Sequence, residues 1–224
     1  MTQPASHQAN PGSGSRSSRL RHVYWIGGGS GAGKSTIARR LSTGHGLRLY
    51  STDDAMADHG RRFALEDAPL LAAFKEMSMD ERWVDRSPQT MLETFHWFQG
   101  EGFGLIVEDL LELAPDQGVV VEGFRLLPRL VKPLLHHPSQ AVWLIPTPEF
   151  RLAAFTSRGS LWRIAGKTSN PDRALRNLLE RDRLFTAYLR DVAEAAGLPV
   201  IDVDSAMIES ALEKRVAIQF GFRS

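Results

Sequence analysis

Between residues 26 and 36 the chain reads Ile-Gly-Gly-Gly-Ser-Gly-Ala-Gly-Lys-Ser-Thr, and Gly28 to Ser35 fit the pattern G-x-x-x-x-G-K-[ST]. These residue types at this spacing bind phosphate. Glycine weakens a helix or strand by about 0.5–1 kcal/mol relative to alanine, so a cluster of glycines needs a backbone reason. The reason here is a loop whose N–H groups curl around phosphate oxygens, followed by a helix with a positive N-terminal end. The run Gly28, Gly29, Ser30, Gly31, Ala32, Gly33, Lys34, Ser35 and Thr36 is expected to hold the phosphates of a nucleoside triphosphate, ATP or GTP. Lys34 is expected to reach the outer phosphates and the Ser35 hydroxyl to ligate Mg²⁺, with Thr36 in the first helical turn.

Carboxylates follow at two later places. The stretch Tyr50-Ser-Thr-Asp-Asp-Ala-Met puts Asp53 and Asp54 just beyond an apolar run, and Val119-Val-Val-Glu-Gly puts Glu122 at the end of another. Carboxylates at strand ends lie in the crevice where open α/β sheets bind ligands. Asp53 is the candidate to accept the proton of an acceptor hydroxyl or to help hold Mg²⁺, and Asp54 is a second substrate-binding candidate. Either aspartate could instead cap the next helix. Glu122 is expected to orient magnesium directly or through water, the alternative being a structural partner at the core edge. Arg125, just past Glu122, is a candidate for an anionic acceptor.

Phosphoryl transfer needs cations over the transferred group. Phe150 to Asp172 carries Arg151, Arg158, Arg163 and Lys167 among Gly, Ser and Thr, as a lid would; Arg158 and Arg163 are the catalytic candidates, with Arg151 behind them. A solvated loop with incidental arginines is the alternative. Arg176, Arg183 and Arg190 recur every seven residues and read as a solvated stripe, although Arg181 and Arg183 could point into the site. His136 and His137 read as surface, with no metal-binding spacing. Trp83, Trp97 and Phe98 read as core, or as rings for a ring-bearing substrate.

The elements that position these groups are legible as alternating patterns. Apolar, β-branched runs at 21–29, 47–51, 118–124, 140–146 and 198–204 read as five strands. Helical spacing follows the loop through Ile37 and Leu41, and reappears at 87–98, with Ser87 as cap and Pro88 at the first position, and at 103–113. The longest helix is expected from Asn170, its cap, to Ala196, before Gly197 and Pro199. Strands alternating with helices indicate a parallel α/β sheet flanked by helices. Residues 55–117 exceed what one crossover needs and read as a helical insertion covering a substrate, and 151–169 as a lid. The unit spans 21–224, after a tail at 1–20 expected to be disordered.

Composition narrows the partners. Lys and Arg (27) nearly balance Asp and Glu (26), so no global charge favours nucleic acid or a membrane surface. No acidic residue precedes Asp53, which concentrates positive potential on the N-terminal side. The absence of cysteine excludes disulfides, thiolate catalysis and cysteine-bound zinc, and fits a reducing cytoplasm. No apolar run approaches the length of a membrane span.

Taken in order, Gly27 to Thr36, Ser51-Thr-Asp-Asp54 and Val119 to Gly123 resemble the P-loop small-molecule kinases, and within them the uridine kinase and phosphoribulokinase type. The resemblance implies a five-stranded P-loop fold and Mg²⁺-assisted phosphoryl transfer from a nucleoside triphosphate to a small-molecule hydroxyl or phosphate. It also implies Asp53 at the base position and Glu122 at the acidic position of the third strand. A nucleoside monophosphate kinase, in which Asp53 binds substrate and no base is needed, is the neighbouring alternative. A nucleotide-binding switch with slow hydrolysis is the alternative of another class.

Overall fold

The computed structural model describes residues 16–63, 65–158 and 160–222, with the side chains of 65, 155–158, 160 and 161 left undescribed. Five strands, β1 (Val23–Gly28), β2 (Arg48–Ser51), β3 (Val119–Glu122), β4 (Ala141–Pro146) and β5 (Val200–Val203), form one parallel sheet in the order β2-β3-β1-β4-β5. Every residue of β3 and β4 is buried, as the unbroken apolar character of both runs dictates for strands covered on both faces.

Successive side chains point to opposite faces of a strand, and the sheet divides its residues accordingly. Val23, Trp25, Val119, Val121, Trp143 and Ile145 pack on one face, together with Phe185 and Leu189. Ile26, Val120, Val142, Leu144 and Ile201 pack on the other, together with Ile37, Leu41 and Val216. Two of the covering helices are α1 (Lys34–His45), which directly follows the loop, and the C-terminal helix Glu209–Phe220 on the same face.

Between β2 and β3 the chain is helical: α2 (Met56–Arg62), α3 (Pro69–Glu76), a π-helical turn at Glu81–Asp85, α4 (Pro88–Thr94), α5 (His96–Gln99) and α6 (Phe103–Glu112). The Ser87 hydroxyl accepts from Thr90 N–H at 3.0 Å, as its position before Pro88 foretells. The single helix expected over 87–98 is two. Phe95 takes extended backbone (ψ 110°) between them, and this bend brings its ring to the wall of a cleft.

After β3 come α7 (Pro128–Val131), β4, α8 (Pro148–Arg158), α9 (Ser160–Ala165), α10 (Pro171–Ala195), β5 and finally α11 (Glu209–Phe220). The α10 helix starts as its sequence requires, with Asn170 Oδ1 accepting from Arg173 N–H at 3.1 Å. The segment read as a lid is helical, as α8 and α9. A small third core of Trp83, Val84, Met91, Ala165, Ala174 and Leu178 joins it to the insertion and to α10.

One boundary moves. Residues 16–19 form a helical turn and Leu20 is fully buried in the main core, so the ordered chain begins before residue 21; residues 1–15 of the expected tail lie outside the described residues.

Candidate active site

The glycine-rich stretch closes β1 and turns into α1. Gly28 has φ +128°, and a Cβ there would stand 2.0 Å from the Leu144 carbonyl oxygen, so only glycine lets β1 end against β4. Gly33 opens α1 in the left-handed region at φ +79°, with no side-chain cap. The first-turn amides of α1 therefore face the loop mouth with the positive helix end behind them, an arrangement suited to an anion. Lys34 lies along the loop and donates Nζ–H to the Gly29 carbonyl at 2.8 Å.

Two cavities flank this loop and share its backbone at Gly31 and Gly33. One, of about 370 Å³, is lined by Lys34, Ser35, Asp53, Arg181, Asp182 and several aromatic rings. The other, of about 420 Å³, runs from Ala32, Thr36 and Ile37 to Phe150, Val203 and Met207. The second abuts the end of β5 at Val203 and the turn beyond it at Met207.

Asp53 reaches the first cavity from the turn after β2. By surface area it is exposed at the cleft mouth, as Asp54 is, yet loss of hydration among the cleft's neighbouring groups raises its carboxyl above the ordinary carboxylate range, with the Lys34 and Arg125 charges opposing. Burial raises Glu122 likewise, opposed by the Lys34 charge and the Ser51 and Ser35 hydroxyls. Glu122 is 2% exposed, and its Oε2 has no hydrogen-bond partner. A buried, unpartnered carboxylate oxygen close to Ser35 and Lys34 suits a hydrated Mg²⁺, which would supply the missing partner. Asp54 is exposed beside the cleft rather than in its wall, and α2 begins on Ala55 with no side-chain cap, so neither aspartate serves as that cap.

Arg125 stands elsewhere than its sequence position suggests. Its guanidinium is packed behind the wall, donating to the Thr52 carbonyl (3.3 Å), the Gly102 carbonyl (3.2 Å) and His59 Nδ1 (2.9 Å), and lying 4.0 Å over Trp97. Because an arginine only donates, His59 must be the tautomer that accepts at Nδ1 and donates Nε2–H to Asp109, 2.8 Å away. Burial lowers the His59 pKa, which keeps the ring neutral. Asp109 also accepts from Tyr50 at 2.5 Å and from Arg62 at 2.6 Å. Those hydrogen bonds outweigh burial and lower its carboxyl below the usual range. This chain of contacts ties α2, α6 and β2 to the turn that carries Asp53. Arg125 is thereby committed to structure and is not among the cleft-lining side chains.

The lid arginines divide. Arg163 is exposed on α9, away from the cleft lining, and the side chain of Arg158 lies outside the described residues. Arg151, by contrast, is buried where α8 packs on the loop: a Cβ on Gly31 would lie 3.8 Å from its Cγ. On α10, Arg183 is exposed and pairs with Glu180 at 2.7 Å, while Arg190 pairs with Glu194 and Asp202. Arg181 alone of that helix turns inward. Its Nε and Nη2 donate to Asp182 Oδ1 at 2.9 and 2.6 Å, and its guanidinium lies 5.0–5.2 Å from the rings of Trp83, Phe95 and Phe98.

Asp182, Met56, Phe95 and Phe124 are wall residues that sequence reasoning passed over. For Asp182 a signal existed. Leu178, Phe185 and Leu189 define the buried stripe of α10, and Arg181-Asp182 interrupts it where an apolar residue is expected. A charged pair on a core stripe implies a polar site facing it.

No family model matches this chain. In sequence it is similar to the 2-phosphoglycerate kinase of Methanocaldococcus jannaschii, at 26% identity over 194 residues, 80% of this chain and 58% of that protein. It is similar to the same enzyme of Methanopyrus kandleri at 26% over 189 residues, 80% of this chain and 55% of the relative. The chain thus spans a little over half the length of the curated relatives it matches. Among solved structures it overlaps deoxyadenosine kinase from M. mycoides with bound dATP (TM-score 0.44, 12% identity, 89% of this chain and 99% of that one). It also overlaps shikimate kinase from Acinetobacter baumannii in complex with shikimate (TM-score 0.41, 15% identity, 89% and 94%). Both sequence relatives bear the name of a kinase.

Proposed function

We propose that this chain transfers the γ-phosphoryl group of a nucleoside triphosphate to a hydroxyl of a small-molecule acceptor. The observation that carries the reading is the pair of cavities meeting across the phosphate loop, with Lys34, Ser35 and Asp53 on one side and a largely apolar slot on the other. The nucleotide base would occupy the slot, its phosphates the loop amides, and the acceptor the cleft. The similarity to 2-phosphoglycerate kinases supports the same class of reaction.

In this reading the acceptor oxygen forms a bond to the γ-phosphorus as the bond to the bridging oxygen breaks, and the nucleoside diphosphate leaves. The hydroxyl proton passes to Asp53, whose carboxylate lines the cleft. Lys34 and Arg151 neutralise charge on the transferring group and leaving oxygen, with Arg158 and Arg163 as further candidates on the lid. Ser35 and Glu122 would hold Mg²⁺, which when bound neutralises phosphate oxygens. The reaction would take place in the cytoplasm, the setting that a cysteine-free chain fits.

The test is NTP consumption, with ATP and with GTP, across a panel of hydroxyl-bearing and phosphate-bearing acceptors, with Asp53→Asn alongside. Acceptor-dependent turnover that falls at least 100-fold in Asp53→Asn while nucleotide binding is retained is the expected result. Slow hydrolysis that no acceptor raises and that Asp53→Asn leaves unchanged would favour a nucleotide-binding switch.

A further inference from the structure

Asp53 stands on a turn between β2 and α2, and the two sides of that turn are held differently. On the β2 side the fastening is close. Thr52 is fully buried, donates its N–H to the Glu122 carbonyl at 2.9 Å and accepts from Arg125 at its own carbonyl. On the α2 side apolar packing is sparse. Of Met56–Arg62 only His59 is buried, and the helix opens on Ala55 with no side-chain cap. Phe63, past its end, packs on Trp97 with ring centroids 5.8 Å apart. A helix this short is unstable by itself in water, so α2 keeps its place through tertiary contacts.

Those contacts converge on Asp109 of α6. Its Oδ2 accepts from Tyr50 Oη at 2.5 Å and from His59 Nε2 at 2.8 Å, and its Oδ1 accepts from Arg62 Nη1 at 2.6 Å. Tyr50 precedes the turn on β2, whereas His59 and Arg62 follow it on α2. One carboxylate therefore closes a ring of contacts around the segment that carries Asp53. The other nitrogen of His59 accepts from Arg125, which also holds the Thr52 carbonyl, so the ring is closed a second time behind the cleft wall. Asp109 itself lines neither cavity at the phosphate loop and reaches a ligand only through what it holds. A general base must come within about 2.6–3.2 Å of the hydroxyl it deprotonates, and a misplacement of about 1 Å costs on the order of 100-fold.

We infer that Asp109 is a positioning residue for the proposed phosphoryl transfer, clamping the Tyr50 and His59 sides of the turn together so that Asp53 is presented to the acceptor hydroxyl. The inference rests on the reading of Asp53 as the base and deepens it. The clamp needs a carboxylate, because three donors converge on its two oxygens. An amide in its place offers one accepting oxygen and turns an N–H₂ group toward at least one of those donors. The turn then shifts, and with it Met56, the first residue of α2 and part of the cleft wall. The phosphate loop, carried by β1 and α1, keeps its geometry.

The experiment is a double-mutant cycle on the full chain with ATP or GTP and Mg²⁺, with Lys34→Ala as the blank. Uridine, glycerol, 2-phosphoglycerate and the other hydroxyl-bearing compounds of the panel serve as acceptor probes, and the one with the highest kcat is used throughout. Asp109→Asn should lower kcat at least 10-fold while the KM for the nucleotide stays within 2-fold. In the Asp53→Asn background the same substitution should change kcat by less than 2-fold, because no base is left to misplace. Glu108→Gln, at the exposed neighbouring position of α6, is the control and should leave kcat within 2-fold in either background. Should Asp109→Asn fail to fold, Tyr50→Phe, which removes one hydroxyl from the clamp, runs through the same cycle with an expected loss of at least 3-fold. Equal losses in both backgrounds, or an unchanged kcat in the clamp variant, overturn the inference and leave the kinase reading standing. An unchanged kcat in Asp53→Asn alone, or no acceptor raising turnover above the blank, overturns the reading of Asp53 as the base and the inference with it.

Discussion

The phosphate loop would hold its ligand with backbone, whereas the cleft beside it is walled by side chains delivered from β2, the insertion, β3, the lid and α10. The loop is one contiguous stretch whose glycines are required by close approach and positive φ, as at Gly28 and Gly33. The cleft wall gathers Met56, Phe95, Phe124, Ile164 and Arg181, residues more than a hundred positions apart at the extremes. A backbone cradle serves any triphosphate and tolerates almost no change in residue type. A side-chain cleft can change its ligand by changing a few side chains, so specificity resides there.

The contrast can be broken first at the loop. Lys34→Ala should lower kcat by about 10²–10³-fold, or roughly 3–4 kcal/mol of transition-state stabilisation, while thermal stability changes little. Steady-state kinetics and a melting curve on the same sample check both halves. A large loss of stability would mean that Lys34 is structural, holding Gly29 in place through its 2.8 Å hydrogen bond.

Behind the cleft the expectation reverses. Arg125→Met should cost about 3 kcal/mol of folding stability, because it strands the carbonyls of Thr52 and Gly102 and the His59 ring nitrogen in a buried site. Denaturant unfolding measures it. Wild-type stability together with a selective loss of acceptor binding would return Arg125 to the role its sequence position suggests.

A third comparison uses pH. His96 is buried with Nδ1 unpartnered, and burial, followed by the charge of Arg125, pushes its pKa down from 6.5 to about 4. The folded value lies below the unfolded one, so this stabilisation is complete above pH 6.5 and drains away as pH falls toward 4. It amounts to about 3 kcal/mol at most. Melting temperature should therefore fall across that window, and His96→Phe should flatten the slope. His59, lowered in the same direction, retains part of it.

The smallest effect belongs to the solvated side of α10. Arg183→Ala removes only a surface pair with Glu180 and should change stability by less than about 0.5 kcal/mol and turnover by less than 2-fold. A marked loss of turnover would place Arg183 over the substrate and redraw the cleft.

How far the site can be read without a structure follows the same division. Ser87, Asn170 and the loop are local signals, since a cap or a glycine turn is decided by a few neighbouring residues, and each stands where its sequence implies. The break at Phe95 carries no such signal: neither glycine nor proline stands there, and beyond it His96, Trp97 and Phe98 are all buried. Arg125 misleads for a related reason. Its position past Glu122 fixes which end of the sheet it occupies, but His59, Thr52 and Gly102 decide where its guanidinium goes.

By itself the sequence determined the phosphate loop, the alternation of strands and helices, and the strand-end carboxylates, because those depend on residue type, period and spacing over short range. Only the tertiary structure decided that Arg181 turns inward while Arg183 turns to solvent. It also decided that Arg125 is a strut behind Asp53, and that three phenylalanines from two stretches of chain share one wall with an internally neutralised ion pair. Those outcomes depend on which side chains meet across the fold, and no local pattern encodes a meeting between residues so far apart along the chain.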